Sequence, residues 1–225
     1  MQAIMETVFE ALYLFFAIAC GIFLLVRAKK RPQYILFGVA SLVLGLGDSY
    51  HLIPRMYALW NGGTANFPDS LGVGKFVTSI TMTIFYVLLY YFLKVRYSKK
   101  VNWYIEVGVL FLAFVRIVLC LFPQNERTSA DASLLWGIIR NIPFVLLGAL
   151  IVYLAFKWCW KEKYFKFLGI AIILSFGFYL PVVLLAGNYP LVGLLMLPKT
   201  VCYVWILIMG LRANLKEIEV KEVSE

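Results

Sequence analysis

Seven apolar runs, each about 20 residues long, follow one another at roughly 4–26, 33–54, 71–93, 101–122, 133–156, 164–187 and 190–211. A run of that length, wound as an α-helix, spans the hydrocarbon core of a bilayer. Between the runs lie short segments of Gly, Pro, Asn, Asp and charge, the residues that interrupt helices. The pattern predicts an all-α, polytopic membrane protein: one domain of seven transmembrane helices over residues 1–225, ending in a short charged tail at 213–225. Composition agrees, with 63% of the 225 residues hydrophobic and 15% charged, against roughly 45–50% and about 25% in a soluble domain. A soluble chain of this size has too little interior to hide so much apolar surface.

The net charge of +9 raises nucleic acid as a partner, but the placement of the charge removes it. Arg27, Lys29, Lys30 and Arg31 follow the first run; Lys94, Arg96, Lys99 and Lys100 follow the third. Lys157, Lys161, Lys163 and Lys166 follow the fifth, and Arg212, Lys216 and Lys221 the seventh. The opposite loops carry only Arg55 and Arg127. By the positive-inside rule the N-terminus is expected outside and the C-terminus in the cytoplasm, in the cell (plasma) membrane, with anionic lipid headgroups beside the basic loops. Glu6 and Glu10 stand where a cleavable signal would carry basic residues, so the first run reads as an anchor. Cys20, Cys120, Cys159 and Cys202 are scattered without a CxxC pair, and His51 is the one histidine. Neither zinc, nor a multi-histidine metal site, nor a disulfide is indicated, and no cofactor is implied.

Four basic residues remain inside the runs: Lys75, Arg116, Arg140 and Lys199. Charge within a membrane is costly and points to function. Counted from the outer ends of their runs at about 1.5 Å per residue, Glu10, Asp48, Arg116 and Arg140 lie about 9–10 Å deep and Lys199 about 13 Å. Five helices thus place a charge at nearly one level. In the second run Gly38, Ser41, Gly45, Asp48, His51 and Arg55 share a face by their 3,4 spacing, and Pro54 is expected to end or bend the helix there. Lys75 and Ser79 share a face in the third run, Arg140 and Asn141 lie together in the fifth, and Tyr179 lies one turn from Ser175 in the sixth. No comparable cluster is expected in the inner half, where Glu106 is read as snorkelling. The expected site is a polar cavity in the outer half. Asp48 and His51 are its catalytic candidates, and Arg55, Lys75, Ser79, Arg116, Arg140, Asn141, Tyr179, Lys199 and Glu10 its ligand-binding candidates. Arg suits phosphate or carboxylate because its fork is planar, so the ligand is expected to be an anionic small molecule or a lysolipid. The competing reading is that these charges pair with one another and only set helix register, His51 bonding to Asp48. The segment 123–133 reads as a solvated loop or a lid, and the stretch around Trp60 and Phe67 as an interfacial belt.

Two segments resemble a known family. ASLVLGLGDSYHLIPR at 40–55 is similar to the Gly-Asp helix of YhhN-type lysoplasmalogenases, and GVGKFVTSITMTIFYVLLYY at 72–91 to the helix that follows it. Those membrane enzymes have eight predicted helices and hydrolyse the vinyl-ether bond of lysoplasmalogens; loss of one N-terminal helix would leave the arrangement read above. The resemblance implies a hydrolase with Asp48 as its carboxylate. The chain departs from the family at Ser79-Ile80, where a Ser-His pair would fall, and at Ser175-Phe176, where a Ser-Asp would fall. Other readings are a transporter or sensory receptor for a small anionic metabolite and, through Lys199 in the seventh run and FGFYLP at 176–181, a loose resemblance to microbial rhodopsins, implying a retinal-binding protein. Oligomeric state is not legible.

Overall fold

The computed structural model describes residues 2–126, 133–187 and 189–224. Seven helices account for nearly all of them: α1 Gln2–Arg27, α2 Pro32–Trp60, α3 Pro68–Arg96, α4 Trp103–Leu121, α5 Leu134–Cys159, α6 Leu168–Leu185 and α7 Met196–Ser224. All seven are long and apolar enough to cross a membrane, a build compatible with a multi-pass membrane protein. Local signals start them. Pro32 and Pro68 occupy the first turns of α2 and α3, where a missing N–H costs nothing. Asn102 caps α4 by accepting a bond from the Tyr104 N–H. Each helix packs on the next, α7 closes back on α1 and α2, and α3 reaches α5 across the interior.

Large side chains point both ways. Phe15 is 74% and Phe114 64% exposed, the outward face expected of helices solvated by lipid. Inside, Phe37, Phe92 and Phe165 pack edge-on or tilted with centroids 4.9–5.9 Å apart. Nearer the centre Tyr86, Phe144 and Phe176 form a second aromatic group.

Two expectations are corrected. Pro54 does not end α2, which continues to Trp60. Proline deprives the Tyr50 carbonyl of its helical N–H, and α3 lies directly against that oxygen: a Cβ on Gly74 would stand 2.4 Å from it. The helix therefore runs on past the proline where it is packed closely on α3. The charged segment from 213 continues α7 as far as Ser224, with Ala213 and Asn214 buried.

The second correction concerns the end where the α1–α2, α3–α4 and α5–α6 loops meet, called the basic end below. Arg96 is a hub there, not merely a charge beside the membrane. Its Nη2 donates to Glu162 at 2.7 Å and to Glu217 at 2.8 Å, and its Nη1 to the Tyr34 hydroxyl at 3.1 Å. Arg31 pairs with Glu217 at 3.6 Å, and Tyr97 donates to Glu162. Four segments distant in sequence are tied at one point, so this half does hold a polar cluster. Glu106 also has a definite partner, Lys94, at 2.7 Å.

Candidate functional site

The opposite end gathers the candidate residues, because the starts of α1, α3, α5 and α7 meet the ends of α2, α4 and α6 there. They form three groups rather than one ring.

The first group joins α1 to α2. Glu6 is 1% exposed and accepts two bonds from Arg55, at 2.8 and 3.2 Å. Arg55 Nε also lies 3.4 Å from Glu10 Oε1. Arg55 is therefore a partly buried helix residue held by two carboxylates, not a loop cation. Glu6, absent from the sequence-level candidates, is its main partner. Glu10 retains one buried oxygen without a partner.

The second group centres on Asp48. Its Oδ2 accepts a 2.6 Å bond from the Tyr13 hydroxyl of α1, and Lys199 of α7 is the strongest charge acting on it, as it is on Lys199. His51 does not bond to Asp48. It is held by the Leu71 backbone, and its Nδ1 is buried without a partner. The three-residue spacing puts Asp48 and His51 on one face, but Tyr13 and the start of α3 separate their partners. Lys199 is 8% exposed, with its ammonium 5.1 Å from the Tyr179 ring centre and 5.5 Å from that of Tyr203. Beneath it the hydroxyls of Tyr203 and Tyr86 are 3.5 Å apart and both engage Ser175.

The third group joins α3, α4, α5 and α6 around Arg116, which is 2% exposed. Its Nη1 donates to Asn141 Oδ1 at 3.1 Å, its Nε to the Ser79 carbonyl at 3.4 Å, and its guanidinium carbon lies 3.6 Å from the Phe144 ring centre. Ser79 thus contributes its backbone, while its hydroxyl turns back to the Lys75 carbonyl. Asn141 Oδ1 also accepts from Tyr179 at 2.8 Å. Arg140 donates to Asn125, whose amide in turn satisfies the Leu119 and Phe122 carbonyls at the end of α4. Lys75 is exposed at the start of α3, within the fields of Arg140 and Arg55.

Charge does not balance across these groups. Among the described residues, Lys75, Arg116 and Arg140 have no carboxylate within ion-pair distance. The acids Glu6 and Glu10 are spent on Arg55, and Asp48 faces Lys199. No three His, Cys, Asp or Glu side chains among the described residues converge as metal ligands would. An apolar cleft opens between α5 and α6, and of the expected cavity residues only Asn141 lines it. Arg127 and the rest of the segment 127–132, including the greater part of the candidate lid, lie outside the described residues.

Tyr13 and Asn125 complete the site without having stood out in the sequence, and Tyr203 joins it from one turn along α7 from Lys199. Single polar residues in apolar helices are common, and no spacing rule links Tyr13 to a residue 35 positions away. No protein-family model, curated protein or solved structure matches the chain.

Proposed function

We propose that this chain is a membrane protein that binds an anionic molecule in the outer half of its bundle, between Arg116, Arg140, Lys75 and Lys199. One observation carries the reading: Arg116 is buried in the middle of four helices with an amide, a carbonyl and an aromatic face around it, and no carboxylate. A guanidinium in an apolar interior calls for a counter-charge, and its planar fork fits phosphate or carboxylate. Transport or sensing of a small anionic metabolite is the use this reading assigns to the site. The basic end faces the cytoplasm of a cell membrane, supported by the gathering of the Lys- and Arg-rich loops around Arg96.

The experiment is thermal stability in detergent with inorganic phosphate. Bound phosphate stabilises by about 2.7 kcal/mol at a hundred times its dissociation constant, so the wild type is expected to gain several degrees. Arg116→Gln removes the gain and added chloride weakens it. If neither phosphate nor short carboxylates stabilise the wild type, the reading fails.

A second reading, a lipid hydrolase similar to the lysoplasmalogenases, is favoured by the Tyr13–Asp48–Lys199 group. It brings a carboxylate, a phenol and an amine into one buried neighbourhood, groups suited to moving protons. Asp48→Asn is then expected to abolish turnover of a vinyl-ether lysolipid while the protein still folds. Undiminished turnover removes the reading.

A further inference from the structure

Glu10 of α1 is a buried carboxyl at which no donor is aimed. It is 5% exposed, and among the described residues neither of its oxygens accepts a hydrogen bond. Arg55 gives its Nε and Nη2 bonds to Glu6 and only stands near Glu10, with Nε 3.4 Å from Oε1. Oε2 is buried with no partner. A carboxylate held in an apolar interior without hydrogen bonds is costly, and the cost is lifted when the group is neutral. What completes Oε2 is small. A metal cation asks for about six oxygen ligands, and among the described residues no three acidic, His or Cys side chains converge. A proton needs one oxygen.

The helices packed on α1 are α2 and α7. Of the titratable groups that these three bring to this end, Tyr13, Asp48, Lys199 and Tyr203 engage one another. His51 is held by the Leu71 backbone, and Tyr50 and Tyr57 are exposed. Arg55 and Glu6 are the groups whose charge acts on Glu10. Arg55 acts in turn on Lys75 and His51, and Lys75 is one of the uncompensated cations of the anion site. Arg55 thus stands between a lone carboxyl and that site. While Glu10 is ionised it offsets part of the Arg55 charge. A proton on Glu10 restores that charge, and an anion beside Lys75 is then held more tightly. By linkage the bound anion favours the proton to the same degree.

We propose that Glu10 is a proton-binding site coupled to the anion site, so that the protein takes up an anion together with a proton. This rests on the anion-binding reading and adds the proton as the second ligand. The proton arrives on the side of Arg55, the least buried member of the group.

The test uses the full chain in detergent and sulfate, a probe that stays a dianion across the range and so takes no proton itself. Titration calorimetry in two buffers of different ionisation enthalpy reads affinity and proton uptake together. The wild type is expected to lose at least fivefold in sulfate affinity between about pH 5.5 and about pH 8.5, the lower end of usual coupling between sites, and to take up protons as it binds. Glu10→Gln, neutral and of the same shape, binds with the low-pH affinity throughout and takes up none, whereas His51→Gln still shows both effects. Sulfate also induces the infrared band of a neutral carboxyl in the wild type and not in Glu10→Gln. Sulfate binding by the wild type that is independent of pH and takes up no proton overturns the proton site and leaves the anion reading standing; this reading needs no variant and decides even where Glu10→Gln does not fold. Uptake that persists in Glu10→Gln, or vanishes in His51→Gln, puts the proton elsewhere and overturns the assignment. A wild type that binds neither sulfate nor phosphate at any pH overturns the anion reading, and the coupling with it.

Discussion

The guanidinium carbon of Arg116 lies 3.6 Å from the centre of the Phe144 ring, so this buried cation rests on an aromatic face of the neighbouring helix. A desolvated contact of this kind is worth about 2 kcal/mol. A double-mutant cycle of Arg116→Met and Phe144→Leu, followed by unfolding in detergent, is expected to give a coupling of about 1–2 kcal/mol. Additive effects would mean that the ring is only packing.

Tyr13 and Asp48 join α1 to α2 by one short hydrogen bond. Bonds to charged acceptors lie at the upper end of the usual range, whereas bonds between membrane helices average well under that. Tyr13→Phe is therefore expected to cost about 1–2 kcal/mol and to leave Asp48 Oδ2 unpaired. Asp48→Asn in the Tyr13→Phe background should then cost less than in the wild type. An equal cost in both backgrounds would show the two residues to be independent.

Two glycines separate packing from propensity. A Cβ at Gly74 meets backbone, 2.4 Å from the Tyr50 oxygen and 2.7 Å from the His51 Cα, and backbone does not yield as a side chain does. Gly74→Ala should force α2 and α3 apart and lower the melting temperature by many degrees. At Gly108 of α4 nothing lies within 4 Å, and Ala there is expected to be neutral or to stabilise by up to about 1 kcal/mol. Equal melting temperatures for the two variants would refute the close approach.

At the basic end the Arg96 side chain is 9% exposed and serves Glu162 and Glu217 together. Arg96→Gln leaves Glu162 without its cation and Glu217 with Arg31 alone. Removing one partner of a fully buried pair costs about 3–5 kcal/mol; with Glu162 and Glu217 partly exposed, about 2 kcal/mol is expected here. Glu106→Gln, which breaks the more open Lys94 pair, should have a much smaller effect. The comparison is made by denaturant or thermal unfolding at one pH and ionic strength.

Tyr97, just past the end of α3, donates to Glu162. Burial foremost, then the Cys159 thiol and the Glu162 carboxylate beside it, push its phenol well above the ordinary tyrosine value. The unfolded chain releases this proton near pH 10 while the folded one keeps it, so the stability it contributes is full below that pH and falls as pH rises beyond it. Tyr97→Phe should flatten the decline above about pH 10. An identical pH profile in the variant would show that the phenol does not keep its proton there.

Length and periodicity alone made the seven helices legible, because a backbone in hydrocarbon must satisfy itself within each segment. They also placed Asp48, Arg116, Arg140 and Lys199 along their helices, since rise per residue is constant along a helix. The same regularity explains what was not legible. A helix shows its face and the depth of each residue, but not its rotation against neighbours far away in sequence. Tyr13 and not His51 bonds Asp48, Glu6 holds Arg55, and Arg96 meets Glu217 across 121 positions. The close approach of Gly74 of α3 to the turn ahead of Pro54 was likewise not legible. Sequence determined which segments are helices and where each charge stands along its helix. Only tertiary packing decided which charges are compensated, and so left Arg116 as a buried cation with no carboxylate beside it among the described residues.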